Sequence, residues 1–336
     1  MVITNGAPAA LNPNVSVIIP TYNRASFIAD AINSCLAQGL HSTDLEIIVV
    51  DDGSTDDTST LLRDFSDKIF QLSLPDNMGR NSARNAGLAY ASGNYVKFLD
   101  SDDLLEPGSL QLELVTAQRE NADIVVSGWK TVEILADRSE RLTGYFDAPV
   151  MEPIIDSLLA GRAVPTSAAL YSRALIGVIR WDETLRKLDD WDWFIRAALR
   201  AKKIIRADGI SYSWREHAGQ GIRSETMLHN ALEHHVILGK LEGALAASGM
   251  LTPARRQRLA QYFYKEMRVL CLSDKAAFYR GVSHIYNLDP DFVPKDEERQ
   301  WWMRALCRVL GIRLSISLHC TVKKLIKGKA LGGMGN

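Results

Sequence analysis

At 336 residues, 46% apolar and 24% charged, the chain is long enough for one large α/β core with an appendage and too apolar for a disordered protein. A net charge of −1 excludes a nucleic-acid binder working by bulk charge. The balance is uneven, however: Arg304 to Lys329 carries seven Lys or Arg and no acid, leaving −8 for residues 1–303. The four cysteines, Cys35, Cys271, Cys307 and Cys320, lie too far apart for a Cys-x-x-Cys motif and fit a reducing cytoplasm.

In chain order, residues 1–13 have neither the basic start nor the apolar core of a signal peptide and are expected to be flexible. From Val15 to Gly128, β-branched runs alternate with amphipathic stretches: Val15–Ile19, Glu46–Val50, Ile69–Leu74, Tyr95–Leu99 and Ile124–Ser127. A spacing of roughly 25 to 30 residues is that of βαβ units, so the first four runs belong in a mostly parallel sheet covered by helices. Ser26 is placed to cap a helix carrying Ile28, Ile32 and Leu36, and Ser54 with Asp57 reads as a capping box before Leu61, Leu62 and Phe65. Residues 129–224 are less regular, with a strand-like Thr166–Tyr171 and a helix from about Trp191 to Ala201. From Glu225 the pattern turns helical, over Leu228–Ala247 and Ala254–Leu270, and ends in a basic tail. There is no run of about eighteen apolar residues, hence no expected membrane span.

Ligands in parallel α/β sheets collect beyond the carboxyl ends of the strands. Three of those ends are polar: Pro20-Thr21-Tyr22-Asn23-Arg24, Asp51-Asp52-Gly53-Ser54 and Asp100-Ser101-Asp102-Asp103. The last is either an acidic turn or a site for Mg²⁺ or Mn²⁺, which take hard oxygen ligands and complete their shells with water and phosphate. Tyr22 is a packed aromatic or a platform for a base, and Asp51-Asp52 is a helix-capped turn or leaves one acceptor for a base or ribose. Gly79-Arg80 with Arg84 opens a helix whose amides and guanidinium groups suit phosphate, or else makes a solvated basic face. Asp189-Asp190-Trp191-Asp192 enters a helix, where acids are ordinary dipole partners, but an acid beside an indole can also serve as a general base. His217 is a structural histidine or reaches a metal or phosphate.

Taken in order, Val17–Arg24, Asp51–Asp56, Gly79-Arg80 with Ala83–Asn85, Phe98–Asp103 and Asp189–Asp192 closely resemble the motif series of glycosyltransferase family 2 over roughly residues 14–224. The resemblance implies a GT-A fold, a mixed and mostly parallel α/β sheet flanked by helices, with a nucleotide-sugar half (14–128), an acceptor half (129–224) and a helical C-terminal region (225–336). It implies an inverting transfer from a nucleotide sugar, with UDP favoured, to a glycan or lipid-linked saccharide in bacterial surface polysaccharide or glycoconjugate synthesis. Carried across, Pro20, Thr21, Tyr22 and Arg24 surround the nucleotide and Asp52 accepts from the base. Gly79 with Arg80 or Arg84 approaches the base or diphosphate. Asp102 becomes the metal ligand for Mn²⁺ or Mg²⁺, supported by Asp100 and Ser101, and His217 approaches the metal from a closing loop, assisted by Arg223. Asp103 only orients the loop. Asp190 becomes the catalytic base, with Asp189, Trp191 and Asp192 supporting the acceptor site.

A nucleotidyltransferase is the first alternative, disfavoured because the loop after the first strand is not Gly- and Lys/Arg-rich. A non-catalytic nucleotide-sugar-binding scaffold is the second, disfavoured by the intact Asp102 and Asp190. The segment 300–330 combines Trp301, Trp302 and Leu306 with Arg304, Arg308 and four lysines, a composition suited to peripheral attachment at an anionic cytoplasmic membrane face or to a packed helix with a basic edge.

Overall fold

The computed structural model describes residues 2–6, 13–149, 154–217, 227–267, 270, 274–294, 311 and 314. The chain divides into two compact units, Met1–Ser157 with Arg162–Gly221, and Leu158–Gly161 with Ile222–Asn336.

The first unit is built on a mixed ten-stranded sheet. Its strands are β1 (Val2–Gly6), β2 (Val15–Thr21), β3 (Leu45–Asp51), β4 (Phe70–Ser73), β5 (Tyr95–Phe98), β6 (Leu104–Leu105), β7 (Ile124–Ile134), β8 (Glu140–Phe146), β9 (Ala169–Ser172) and β10 (Ile204–Glu216). They run in the order β1-β4-β3-β2-β5-β9-β7-β10-β6, with β8 paired to β7. The four strands β4, β3, β2 and β5 are mutually parallel, as their spacing predicts. Val17, Ile18, Ile19, Ile48, Val49 and Val50 have no exposed surface, as expected of strands covered on both faces, and each such burial is worth about 1.5–3 kcal/mol. Strand order reverses beside β2, and that reversal opens a crevice at the carboxyl ends.

Helices α1 (Ile28–Leu36), α2 (Thr58–Arg63), α3 (Arg80–Tyr90) and α4 (Ser109–Glu120) follow strands of this sheet. A Cβ at Gly87 would come within 2.5 Å of Ile18 Cγ2, so glycine is what lets α3 lie directly on β2. On the α4 side, Lys97 of β5 is fully buried against Glu113, with Nζ donating to both carboxylate oxygens at 2.9 and 2.6 Å and to Ser211 Oγ at 2.7 Å. Farther along come α5 (Ile154–Leu159), α6 (Arg173–Ile176) and α7 (Asp189–Arg200). Helix α7 buries Trp193, which stacks on Trp181 at 4.4 Å and meets Phe98 edge-on.

Val2–Gly6 forms β1, paired antiparallel to the edge of β4. Two expectations are corrected here. Ser26 does not cap α1; the Arg24 carbonyl accepts from Ile28 N at 3.0 Å instead. The capping box at Ser54 does not form, because Ser54 Oγ accepts from Asn23 N at 3.0 Å and Asp56 Oδ1 accepts from Thr58 N at the start of α2.

The second unit packs α8 (Met227–Ala247), α9 (Pro253–Met267) and α10 (Lys275–Leu288) through Leu238, Leu241, Phe263, Val282 and Ile285, all essentially buried. Asp274 caps α10, its Oδ1 accepting from Ala277 N at 2.9 Å. Among the described residues no helix is long and apolar enough to cross a membrane. The basic segment 300–330 and Arg223 lie outside the described residues, apart from residues 311 and 314.

Candidate active site

The polar strand ends meet because their loops tie one another down. Asn23 follows β2 with a left-handed backbone (φ 51°). Its Oδ1 accepts from Thr55 N at 2.8 Å, joining the loop after β2 to the loop after β3. Gly53, at φ 74°, is required there, since a Cβ would come within 2.7 Å of the Asp76 backbone. Asp52 draws in the segment before α3, accepting from Met78 N and Gly79 N at 2.8 Å each. Burial pushes the Asp52 carboxyl up, with the two amide donors opposing it.

These loops enclose a cavity of about 480 Å³ lined by Tyr22, Asp51, Ser54, Thr55, Asp76 and Asn77 among others. Tyr22 is 37% exposed, so its ring is available as a platform. Pro20 and Thr21 are buried at the end of β2, with Thr21 Oγ1 lacking a hydrogen-bond partner. Asp52, expected to accept from the base, turns one oxygen to each of these two amides, while Asp51 lines the cavity, its own oxygens accepting from Ser54 N and Ser59 Oγ. The two amides preceding α3 therefore hold a carboxylate where the sequence suggested a phosphate.

Beyond β5, Asp102 gathers a guanidinium and an imidazole, with Oδ2 at 3.3 Å from Arg24 Nε and 3.1 Å from His217 Nε2. Burial opposes ionisation of Asp102, but His217 and Arg24 outweigh it and hold the carboxyl below its usual range. His217 is steadied by Phe27, whose ring centroid lies 4.5 Å away. Asp103 is buried and accepts from Arg215 N at 2.9 Å; burial, then Asp102 and Asp100, raise its pKa well above the ordinary aspartate value. Ser101 is buried within the same turn.

Arg84 is the hub of the remaining acids. Its buried guanidinium donates to Asp189 Oδ2 at 2.8 Å and to Asp100 Oδ1 at 2.6 Å, stands 3.5 Å from Asp190 Oδ1, and lies over the Trp181 ring at 4.4 Å. Arg80 Nε donates to Asp189 Oδ2 at 2.8 Å, and its Nη2 pairs with the other oxygen. Burial disfavours the Asp189 anion, but Arg80 and Arg84 prevail and hold its pKa down. Asp189, with no exposed side-chain surface, neutralises Arg80 and Arg84, the two arginines expected to approach the base or diphosphate. Trp191 and Asp192, expected to support the acceptor site, are likewise buried, Asp192 accepting from Arg196 at 2.8 and 2.6 Å.

Asp190 differs from its neighbour. Its side chain is 36% exposed, yet Oδ1 is buried without a hydrogen-bond donor. Burial raises its pKa, Arg84 opposes, and Asp189 and Asp100 raise it further.

Residues 16–174 match the model of the family described as glycosyl transferase family 2. A protein of Rickettsia typhi, the uncharacterized glycosyltransferase RT0329, is 30% identical over 288 residues, covering 82% of either chain. The chain belongs to glycosyltransferase family 2. RP339 of Rickettsia prowazekii, also an uncharacterized glycosyltransferase, is 33% identical over 222 residues, 62% of this chain and 66% of that one. The fold of this glycosyltransferase is that of S. aureus TarS residues 1–349 in complex with UDP-GlcNAc, at TM-score 0.67 and 20% identity over 93% of this chain and 92% of that one. The mannosyltransferase PcManGT of Pyrobaculum calidifontis, in complex with GDP-Man and Mn²⁺, superposes at TM-score 0.51 and 16% identity over 95% and 90% of the two chains. The GT-A architecture is thereby established.

Among the described residues of the family 2 domain, no three His, Cys, Asp or Glu side chains converge to hold a cation by themselves. Asp102 and His217 still supply one carboxylate and one imidazole 3.1 Å apart, a donor pair that fits Mn²⁺ or Mg²⁺ when diphosphate and water complete the shell. Arg215 escaped the sequence reading, although it organises this glycosyltransferase's acidic loop. Its Nε donates to the Asp102 carbonyl at 2.5 Å and its Nη1 to Asp30 at 3.1 Å. The available signal was the alternation of Tyr212-Ser213-Trp214-Arg215, which puts Ser213 and Arg215 on one face.

Proposed function

We propose that this family 2 enzyme transfers a sugar from a UDP-sugar to a hydroxyl of a saccharide acceptor with inversion at the anomeric carbon, using Asp190 as general base. The observation that carries the reading is the contrast between two adjacent acids on one helix. Asp189 is spent on arginine, whereas Asp190 keeps an exposed edge, a raised pKa and an oxygen without a donor.

In the proposed step the acceptor O–H proton passes to Asp190 and the acceptor oxygen bonds to C1. The bond from C1 to the β-phosphate oxygen breaks on the opposite face, and its electron pair leaves with the nucleoside diphosphate. Mn²⁺ or Mg²⁺ held by Asp102 and His217, with Asp100 supporting, would neutralise the leaving diphosphate. Tyr22 stacks on the base above the 480 Å³ cavity, and Asp76 and Asn77 on its wall offer acceptors to the imide N–H of uracil. The TarS complex with UDP-GlcNAc supports the preference for UDP. The basic, Trp-bearing tail favours a lipid-linked acceptor at an anionic membrane face, in surface polysaccharide or glycoconjugate synthesis.

The test is thermal stabilisation by a panel of nucleotide sugars with and without Mn²⁺, since a ligand selective for the folded state raises its stability. UDP-sugars should raise the Tm in a Mn²⁺-dependent manner. Asp102→Ala should abolish that shift, whereas Asp190→Asn should keep the shift and lose transfer by about 10²–10⁴-fold. Near-normal turnover by Asp190→Asn would refute the assignment of the base, and silence toward every nucleotide sugar would refute the function.

A further inference from the structure

The sheet face that carries Tyr212 continues outward as a row of aromatic side chains. Tyr212 is buried and pairs with Leu105, two residues beyond Asp103. The inner end of the row therefore lies beside the loop that carries Asp100, and Arg84 joins Asp100 to Asp190. Across β10, β7 and β8 the register sets Tyr212 beside Trp129 and Trp129 beside Phe146. Trp129 and Phe146 stack at 5.4 Å with their planes 7° apart. One step farther along, Trp214 sits beside Thr131, and Thr131 beside Gly144. Trp214 and Phe146 are 41% and 45% exposed on this one face.

We infer that Trp129, Phe146 and Trp214 form the platform on which a neutral pyranose ring of the acceptor lies, leading its hydroxyl toward Asp190. Gly144 leaves room for the Phe146 ring, whose edge lies 3.1 Å from where a Cβ would sit, and the Thr131 and Thr143 hydroxyls meet at 2.8 Å beside it. Aromatic rings make the sides. A pyranose presents an apolar C–H face that suits the negative face of an indole or phenyl ring, while its hydroxyls remain in water at the rim. Charge selects among acceptors. The register carries Glu133 and Glu216 onto the same face as a cross-strand pair, and Arg141 is engaged by Glu133, so the surroundings favour an uncharged sugar over a phosphate-bearing polymer. The inference rests on Asp190 marking the acceptor side, and it names residues remote in sequence from any donor motif.

The test uses full-length protein labelled with ¹⁵N-tryptophan, whose indole N–H signals are assigned by Trp129→Phe and Trp214→Phe. Cellobiose, lactose and N,N′-diacetylchitobiose serve as neutral probes at millimolar concentration. At least one should shift the Trp129 and Trp214 signals, and Trp214→Ala or Phe146→Ala should weaken that binding by about tenfold. Gly144→Val, whose side chain would displace the Phe146 ring, should weaken it as well. Absence of any shift with all three sugars, or unchanged affinity in Trp214→Ala, overturns the platform. So does a wild-type dimer in sedimentation velocity that Trp214→Ala dissolves, because the patch would then be an interface between two copies. Mn²⁺-dependent stabilisation by UDP-sugars is measured on the same samples. Donor binding without saccharide binding removes the platform and leaves the proposed transfer intact; saccharide binding without donor binding does the reverse.

Discussion

Replacing Asp189 with Asn removes one charge and almost no volume from a place with no exposed side-chain surface. The amide can accept from one arginine only, and its NH₂ is set against the donors of the other, leaving Arg80 and Arg84 with less than the two carboxylate oxygens they now share. Arg84 is 1% exposed and cannot recover the loss from water. Breaking a buried pair in this way costs about 3–5 kcal/mol. For a unit of about 200 residues that corresponds to a fall in Tm of about 6 to 20 °C. Scanning calorimetry and urea unfolding measure it, with Glu133→Gln as the control. Its Arg141 partner is 66% exposed, so the control should move by less than about 0.5 kcal/mol. The pH dependence has a definite sign: the native pKa of Asp189 lies below its ordinary 3.8, so its stabilisation is complete above that value and is lost as pH falls through the lower native one. The gap between wild type and Asp189→Asn should therefore close in strong acid. If Asp189→Asn matched the control at neutral pH, the arginines would not depend on Asp189 and would be free for a ligand after all.

Three further outcomes follow from the same physics. Lys97→Met leaves Glu113 buried and unpaired and should cost about 3–5 kcal/mol, whereas Lys97→Met with Glu113→Leu should recover much of it in urea unfolding. Because burial and its acidic neighbours raise the pKa of Asp190, transfer measured against pH should fall on the acid side at a pH above the ordinary 3.8 of aspartate, and the fall should vanish from the residual rate of Asp190→Asn. In the helical unit, burial and then His284 lower the pKa of His235 below 6.5, and its Nδ1 is buried without a partner. The unfolded chain then takes up the proton first, so stability present above pH 6.5 should decline as pH falls below it, and His235→Phe should flatten that decline.

The parallel strands were legible because burial on both faces turns Val17–Ile19 and Ile47–Val50 into continuous apolar runs, and the acids beyond them stood out against that background. His217, expected near the metal, lies against Asp102 across 115 residues. Side-chain direction was harder to read. Neighbours at a strand end point to opposite faces, so Asp51 and Asp52 look alike in sequence although one lines the cavity and the other anchors the α3 loop. Arg80 and Arg84 show the same limit. Their partner Asp189 is more than a hundred positions away and leaves no local trace, so arginines at a helix start resembled an empty phosphate site. Lys97 was passed over inside an apolar strand, although a lysine there already asks for a buried acid such as Glu113. β1 is five residues long and carries no pattern that separates it from a loose end.

One guanidinium, that of Arg84, touches Asp100 from the metal-side loop together with Asp189 and Asp190 from α7. The spacing between Asp100 and the two α7 acids is thus fixed by the width of a single planar group resting on Trp181. On the proposed division into a nucleotide-sugar half and an acceptor half, the two are therefore not interchangeable modules. A chimera joined near residue 128 that takes its acceptor half from a relative inherits a foreign counterpart of Asp189 and Trp181 against the native Arg84. Exchanging acceptor specificity by cutting and joining then requires residues 84, 181 and 189 to travel as one set.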